Sequence, residues 1–310
     1  MKNNLSNIKK AIKYLDKNQC IGIPTETVYG IAANAYSSVA TSKIYRLKKR
    51  PKNNPLIVHY FNLELLKKDC EINKIFLKLY KKFSPGPISY ILKLKRNSLI
   101  SKNVTNGKKT LAVRFPSHPI TRNLLKRLNY PLAAPSANIS TKISPVSKKD
   151  VKDEFGKNLE FILDGDQSKI GIESTIVNIV QKPQVLRLGG ISKEQIKKCL
   201  NLNLIYKKKT KAIYPGQGKT HYSPYIKLRL NTKNANKNEA LILINKRKNR
   251  SKNYFYLSKN KNLKEAAKNL YKTLRIIKKR KFKSIAVEKI PNNGFGEVIN
   301  DRLKRASYFK

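Results

Sequence analysis

The stretch Cys20-Ile21-Gly22-Ile23-Pro24-Thr25-Glu26-Thr27-Val28-Tyr29-Gly30 places a short apolar run directly before a cluster of hydroxyls, one carboxylate and a turn glycine. This order predicts a buried strand that ends in a polar turn. Open α/β sheets bind their ligands at the ends of strands, so residues 24–30 form a candidate binding segment. A β-turn satisfied by threonine hydroxyls would explain the same cluster without a ligand.

The chain around this stretch continues an α/β pattern up to about residue 200. Short apolar runs rich in β-branched residues alternate with amphipathic stretches, which predicts strands separated by helices. Helices are expected to start at capping serines or at a first-turn proline. These starts are Ser6, Ser38, Pro119 and Ser147. The predicted strands are residues 20–23, 56–60, 88–94, 110–114, 132–134, 161–163, 175–179 and 184–188.

Residues 201–225 interrupt the pattern and predict a linker between two domains. Its second half, Tyr214-Pro215-Gly216-Gln217-Gly218-Lys219-Thr220-His221-Tyr222-Ser223-Pro224, carries side chains that are unusual for a passive spacer. Beyond it, apolar runs at 241–244, 254–257 and 284–287 and an apolar helical stripe over 263–277 predict a smaller α/β domain. The expected division is therefore 1–200, a linker over 201–225, and 226–310.

The charge of the chain is extreme, because 68 Lys and Arg against 18 Asp and Glu give a formal net charge of +50. Such a field attracts nucleic acid and other polyanions. However, the lysines are spread over the whole chain, and Lys, Asn, Ile and Tyr all have A/T-rich codons. Compositional drift with a general affinity for anions is therefore the favoured explanation, and a dedicated nucleic-acid surface is the alternative.

The three cysteines and three histidines are scattered and lack the spacing of a zinc site or a disulfide framework. No long continuous apolar segment is present, so we expect no membrane span and a cytoplasmic location.

Four further clusters combine hydroxyls, amides and cations near predicted strands. The segment Lys48-Lys49-Arg50-Pro51-Lys52-Asn53-Asn54-Pro55 could hold a guanidinium and an amide toward phosphate or ribose. Thr110 and Arg114 lie on the same face of one strand. The other two are Pro135-Ser136-Ala137-Asn138 and Gly171-Ile172-Glu173-Ser174-Thr175. The phosphate-loop, dinucleotide, nucleophile-elbow and zinc-helix motifs are absent, so the clusters indicate a different kind of nucleotide and small-substrate site.

In their order and spacing, these clusters resemble the YrdC-like threonylcarbamoyl-AMP synthases. The match covers roughly residues 5–200, and the linker and the tail segment Asn300-Asp301-Arg302-Leu303 resemble the long, two-domain form of that family. The resemblance implies a twisted mixed-sheet α/β domain with a basic cavity, a linker that closes over the cavity, and a smaller Rossmann-like α/β domain.

The resemblance also implies which residues contact the substrates. L-threonine would contact Thr27, His59, Arg114, Ala134 and Ser174. ATP would contact Arg50, Asn54, Thr110, Ser136, Asn138, Ser144 and Arg187, and either Tyr222 or His221 from the linker. Lys48 and Arg50 would face the phosphates as catalytic cations.

The implied reaction joins L-threonine, bicarbonate and ATP, with Mg²⁺ held mainly by phosphate oxygens because the sequence offers no carboxylate cage. No protein-bound metal and no general base can be assigned, and substrate binding is the safer role for His59. The product would pass to proteins that transfer the threonylcarbamoyl group to tRNA, with weak tRNA binding by the chain itself left open.

Two alternatives remain, an RNA-binding protein that uses the basic cavity and a relative that has lost the activity. The sequence also departs from the family at Thr141, where a glycine is common. A loop that needs a positive φ at this position would be strained.

Overall fold

The computed structural model describes residues 2–202, 221–247 and 251–308. Part of the predicted linker, residues 203–220, lies outside the described residues. The two sheets of the described chain lie on either side of this linker, although the predicted limits 1–200, 201–225 and 226–310 stay predictions. None of the helices in the described ranges has the length and apolar character needed to cross a membrane.

The larger sheet has eight strands, which are β1 Ile21–Ile23, β2 Gly30–Asn34, β3 Ile57–His59, β4 Ile88–Lys93, β5 Thr110–Arg114, β6 Leu132–Ala133, β7 Thr175–Asn178 and β8 Gln184–Arg187. Their order across the sheet is β1-β2-β6-β3-β5-β4-β7-β8. The pairs β3–β5 and β4–β7 are parallel and the other neighbours are antiparallel, so the sheet is mixed as expected.

Helices connect and cover these strands, and their starts partly confirm the predictions. Pro119 is the first residue of its helix, and the Ser147 side chain accepts from the backbone of Asp150 as a cap. The second cap is Ser37 rather than Ser38. These helices are α1 Lys2–Asp16, α2 Ser38–Lys48, α3 Leu63–Asp69, α4 Lys74–Phe83, α5 Lys102–Thr105, α6 Pro119–Lys126, α7 Lys148–Phe155 and α8 Lys193–Leu200.

Two further local predictions were wrong, and one strand of the sheet was not predicted. Ser6 lies inside α1, which already begins at Lys2, so it caps nothing. The predicted strand at 161–163 forms only an isolated bridge between Ile162 and Gly22. Strand β2 was missed because its sequence Gly30-Ile31-Ala32-Ala33-Asn34 contains glycine, alanine and asparagine, which have low strand propensity, yet it is almost fully buried.

The elements after the linker are β9 Lys227–Leu230, which was not predicted, β10 Glu239–Leu243, β11 Tyr254–Tyr256, α9 Leu263–Lys279, β12 Ser284–Val287 and α10 Phe295–Ser307. The four strands form a smaller parallel sheet in the order β11-β10-β12-β9. The inner strand β10 is buried at every position, as expected for a parallel strand covered on both faces. The predicted apolar stripe is confirmed, since Ala266, Leu270 and Ile277 of α9 are fully buried.

The second unit packs closely on the first at Gly171. A Cβ atom at this glycine would lie 2.3 Å from the backbone oxygen of Lys268 on α9, and Gly171 also has a φ of +74°. Both conditions exclude a side chain. Nearby, the Arg275 guanidinium of α9 donates to the Ile143 carbonyl at 2.6 Å.

Thr141 has a φ of +74°, which confirms that the loop after Asn138 requires a left-handed residue. A β-branched residue is disfavoured there because its Cβ approaches the backbone. The backbone oxygen of Thr141 accepts from the backbone nitrogen of Ser223 at 2.8 Å, which connects this loop to the end of the predicted linker.

We predict that Thr141→Gly is more stable than Thr141→Ala by about 1 kcal/mol in free energy of unfolding, because only the alanine keeps a Cβ in the left-handed region. Both variants lose the threonine hydroxyl, so comparing them removes that contribution. Urea unfolding followed by circular dichroism measures the difference. Equal stability of the two variants would contradict the assignment of strain to this residue.

Candidate active site

A cavity lies at the strand ends of the larger sheet and is covered on one side by His221 and Tyr222, from the end of the predicted linker. It is lined by Thr25, Thr27, Val28, Tyr29, Gly30, Arg50, Ile57, His59, Arg114, Ala134, Pro135, Ser136, Glu173, Ser174, Arg187, His221 and Tyr222.

Ten of the residues implied by the resemblance line this cavity together. They are Thr27, Arg50, His59, Arg114, Ala134, Ser136, Ser174, Arg187, His221 and Tyr222. The five others, Lys48, Asn54, Thr110, Asn138 and Ser144, are not among the lining residues. The substrate roles of all fifteen stay predictions.

The turn after β1 is shaped by Thr25. Its hydroxyl donates to the Val28 carbonyl at 2.6 Å and accepts from the backbone nitrogen of Thr27 at 3.2 Å. The Thr25 and Thr27 hydroxyls are 2.8 Å apart. The hydroxyl-satisfied turn is therefore present, and it also directs Thr27 into the cavity.

Arg114 and His59 lie side by side, because parallel pairing of β3 and β5 aligns their Cα atoms. The Arg114 guanidinium donates to the Glu26 carboxylate at 2.7 Å, which fixes its orientation. Burial, followed by the charge of Arg114, lowers the pKa of His59 well below its ordinary value. His59 is therefore neutral, and its Nδ1 atom is buried without a hydrogen-bond partner among the described residues.

Arg50 is held by the turn that follows it. Its guanidinium donates to the side-chain oxygen of Asn54 at 2.6 Å and to the Pro55 carbonyl at 2.8 Å. Burial lowers the pKa of Arg50 to about 10, so it remains charged at neutral pH. Asn54 thus supports the arginine from behind the cavity wall.

Lys48 supports the loop that carries Ser136. Its Nζ donates to the Ser136 carbonyl at 2.6 Å and also to the Asn138 carbonyl. The Asn138 amide in turn accepts from the Ser136 hydroxyl at 2.6 Å and donates to the Lys142 carbonyl at 2.9 Å. Lys48 therefore contacts the loop at residues 136–138 and is not among the lining residues of the cavity, where it was expected to face the phosphates of ATP.

The wall around β7 and β8 is a chain of hydrogen bonds. The Arg187 guanidinium donates to the Ser174 hydroxyl at 3.1 Å, and the hydroxyls of Ser174 and Ser89 are 2.8 Å apart. Ser144 donates to the Glu173 carboxylate at 2.6 Å.

Thr110, at the far end of β5 from Arg114, is only half-buried and pairs with Lys93 in the sheet.

His221 and Tyr222 cover the cavity, with Tyr222 buried and His221 half-buried. Burial is the main cause that lowers the pKa of His221 to about 3 and raises that of Tyr222 to about 12, so both are neutral at physiological pH. The Nδ1 of His221 and the hydroxyl of Tyr222 have no hydrogen-bond partner among the described residues. Buried polar atoms are normally paired, so these two atoms and the His59 Nδ1 mark where a polar ligand would be recognised.

The site residues that were not predicted include the two carboxylates Glu26 and Glu173. Burial alone would raise the pKa of Glu173, but Arg302 and Arg187 outweigh it and hold this pKa below its usual value. Both glutamates lie inside quoted motifs, and that location was the available signal. The cavity lining contains three arginines and one glutamate, so its net charge is positive, which suits a site for anions.

Known proteins share both parts of the chain. Residues 13–189 match the family model described as Telomere recombination, which covers Sua5, YciO and YrdC. Residues 191–307 match the model of the threonylcarbamoyl-AMP synthase C-terminal domain.

Individual relatives cover nearly the whole chain. The threonylcarbamoyl-AMP synthases of Pyrococcus abyssi and Bacillus subtilis are each 34% identical and cover 98% and 97% of the chain, and 94% and 92% of their own lengths. The crystal structure of P. abyssi Sua5 with L-threonine superposes with a TM-score of 0.89 at 31% identity, over 97% of this chain and 94% of that one. With the mixed sheet, the cavity and the second parallel sheet in place, this chain belongs to the Sua5/YciO/YrdC family.

Proposed function

We propose that this chain is a threonylcarbamoyl-AMP synthase, which converts L-threonine, bicarbonate and ATP into threonylcarbamoyl-AMP, pyrophosphate and water. The observation that carries the proposal is a cavity lined by three arginines, Arg50, Arg114 and Arg187, together with the neutral imidazoles of His59 and His221. The names of the full-length relatives support the same activity.

The threonine would lie beside Arg114. The guanidinium is oriented by Glu26 and can bind a carboxylate through two parallel hydrogen bonds. The hydroxyls of Thr27 and Ser174 and the backbone of Ala134 line the same cavity and offer partners for the amine and hydroxyl of threonine. The related P. abyssi Sua5 was crystallised as a complex with L-threonine, which supports this part of the proposal.

The ATP would lie toward Arg50, Ser136 and Arg187. Arg50 is fixed by Asn54 and Pro55, so it can bind phosphate oxygens with little loss of side-chain freedom. Lys48 would act through the loop that it holds, with Asn138 inside that loop and Ser144 and Thr110 farther along the wall. Mg²⁺ would enter as part of the ATP substrate, bound by phosphate oxygens.

The chemistry begins when the amine of threonine attacks the carbon of bicarbonate, and loss of water gives a carbamate. A carbamate oxygen then attacks the α-phosphorus of ATP, a new P–O bond forms, and pyrophosphate leaves. Both partners in this second step are anions, so their meeting requires fixed positive charge in a site with little water. Arg50, Arg114 and Arg187 supply that charge.

The product is a reactive mixed anhydride, so a protein that transfers the threonylcarbamoyl group to an adenosine of tRNA must consume it.

The basic surface alone does not make RNA the substrate of the cavity. The buried walls recognise small groups through single hydroxyls and histidines, whereas nucleic acid is bound through extended, exposed phosphate contacts.

We predict that pyrophosphate release from Mg²⁺-ATP requires both L-threonine and bicarbonate. An enzyme-coupled pyrophosphate assay in carbonate-free buffer measures the rate with each substrate omitted in turn. Serine and valine serve as matched controls, since each lacks one of the two threonine side-chain groups. Release that is unchanged without threonine or without bicarbonate would exclude the proposed reaction.

We predict that Arg114→Lys and Arg50→Lys have separable effects. Arg114→Lys should raise KM for threonine about tenfold or more, because a lysine cannot form the paired hydrogen bonds, and should leave KM for ATP nearly unchanged. Arg50→Lys should raise KM for ATP about tenfold or more and leave KM for threonine nearly unchanged. Initial rates at varied concentrations of each substrate distinguish the two cases.

Arg122→Lys is the control for these variants. Arg122 donates to the Phe61 carbonyl and is not among the lining residues, so its replacement should change neither KM beyond twofold. Equal effects of Arg114→Lys on both substrates would contradict the assigned subsites.

A further inference from the structure

Arg302 of α10 is a fully buried cation that does not line the cavity. It is among the largest fully buried side chains, at 1% exposure. A guanidinium in such a place is costly unless its donors are paired. Its Nε donates to Glu173 at 3.0 Å, its Nη1 to Asp301 at 2.5 Å, and its Nη2 to the Leu188 carbonyl at 2.7 Å.

The same guanidinium also packs on the residue that covers the cavity. Its Cζ lies 4.7 Å from the centre of the Tyr222 ring. The Tyr271 ring of α9 stacks on Tyr222 at 5.8 Å between ring centres. A cation over a buried aromatic ring contributes more than at an exposed site, so the ring position is well defined.

Tyr222 needs such support because its backbone is in the left-handed region, with a φ of +62°. A bulky residue adopts this conformation only where its surroundings enforce it. The Tyr222 hydroxyl makes no hydrogen bond with the described residues. Its position therefore rests on ring packing and on its neighbours, His221 and Ser223, whose backbone nitrogens donate to Arg305 and Thr141.

Glu173 connects this packing to the opposite wall. Its carboxylate accepts from the Tyr271 hydroxyl at 2.9 Å and from Ser144 at 2.6 Å as well as from Arg302. Glu173 directly precedes Ser174, a proposed threonine contact. Tyr222 in the cover and Glu173 in the wall therefore both contact Tyr271 on α9 and Arg302 on α10.

We propose that Arg302, with Tyr271, is a positioning residue that sets Tyr222 and Glu173 in the places the reaction requires. This makes α9 and α10 part of the active site. The inference rests on the proposed function for its kinetic consequences, whereas the placement of Tyr222 can be tested without substrates.

The test compares Arg302→Lys and Tyr271→Phe with Glu297→Gln. A lysine at 302 keeps a charge but cannot reach all three acceptors or present a planar face, and phenylalanine at 271 keeps the ring but loses the hydroxyl bond to Glu173. Glu297 lies on the same helix α10 and forms an ion pair with Lys193 of the larger unit at 2.8 Å, away from the cavity lining. Glu297→Gln therefore weakens a contact between the two units at a site away from the cavity, which makes it a matched control.

We expect amide hydrogen exchange at residues 221–223 to become at least tenfold faster in Arg302→Lys and measurably faster in Tyr271→Phe, and to stay unchanged in Glu297→Gln. In the pyrophosphate assay, kcat should fall on the order of tenfold to a hundredfold for Arg302→Lys, as expected for displaced reacting groups, with a smaller rise in KM. Circular dichroism confirms that each variant is folded. Should Arg302→Lys fail to fold, Tyr271→Phe decides the outcome alone.

Exchange at 221–223 that matches Glu297→Gln in the folded variants would overturn the inference, whatever the kinetics show. If the unmodified chain releases no threonine-dependent pyrophosphate while the exchange result holds, the proposed function fails and the positioning of Tyr222 stands.

Discussion

The cost of burying positive charge is the constraint on which the rest of the site depends. Arg50, Arg114, Arg187 and Arg302 are each at most 8% exposed, and each donates to a side-chain or backbone oxygen nearby. An arginine buried without such a partner would destabilise the fold. The acceptors therefore determine where the arginines can lie, and the arginines determine the shape and the charge of the cavity.

This arrangement explains which groups remain neutral. The carboxylates beside the cavity are occupied by arginines, the remaining titratable groups include His59, His221 and Tyr222, and burial keeps these three uncharged. Under the proposed function, substrates would meet fixed cations and neutral donors or acceptors. Because these groups are already oriented, little reorganisation would be needed when charge develops at the phosphorus.

The sequence revealed the short motifs of the site but not the distant residues with which their side chains pair. The structure brings Thr27, Arg50 and Ser136 from three of these motifs into the lining of one cavity, and local turn chemistry and strand ends were the signals that revealed the motifs. The pairs Glu26–Arg114 and Glu173–Arg302 were not predicted, since their members are 88 and 129 residues apart and no spacing rule connects them. Strand β2 was missed for a related reason, because pairing with its neighbours rather than local propensity makes it a strand.

Under the proposed function, ATP has to enter a cavity whose cover includes Tyr222, which is 1% exposed. The polar character of the contact between Arg302, Glu173 and Tyr222 would suit a cover that opens to admit it. A purely apolar contact of the same area would favour the closed state strongly, because each buried apolar group adds to it. A buried ion pair adds little net stability, since desolvation offsets most of its attraction, yet it depends steeply on geometry. Such a contact defines where Tyr222 lies when the site is closed without holding the site closed after the product has formed.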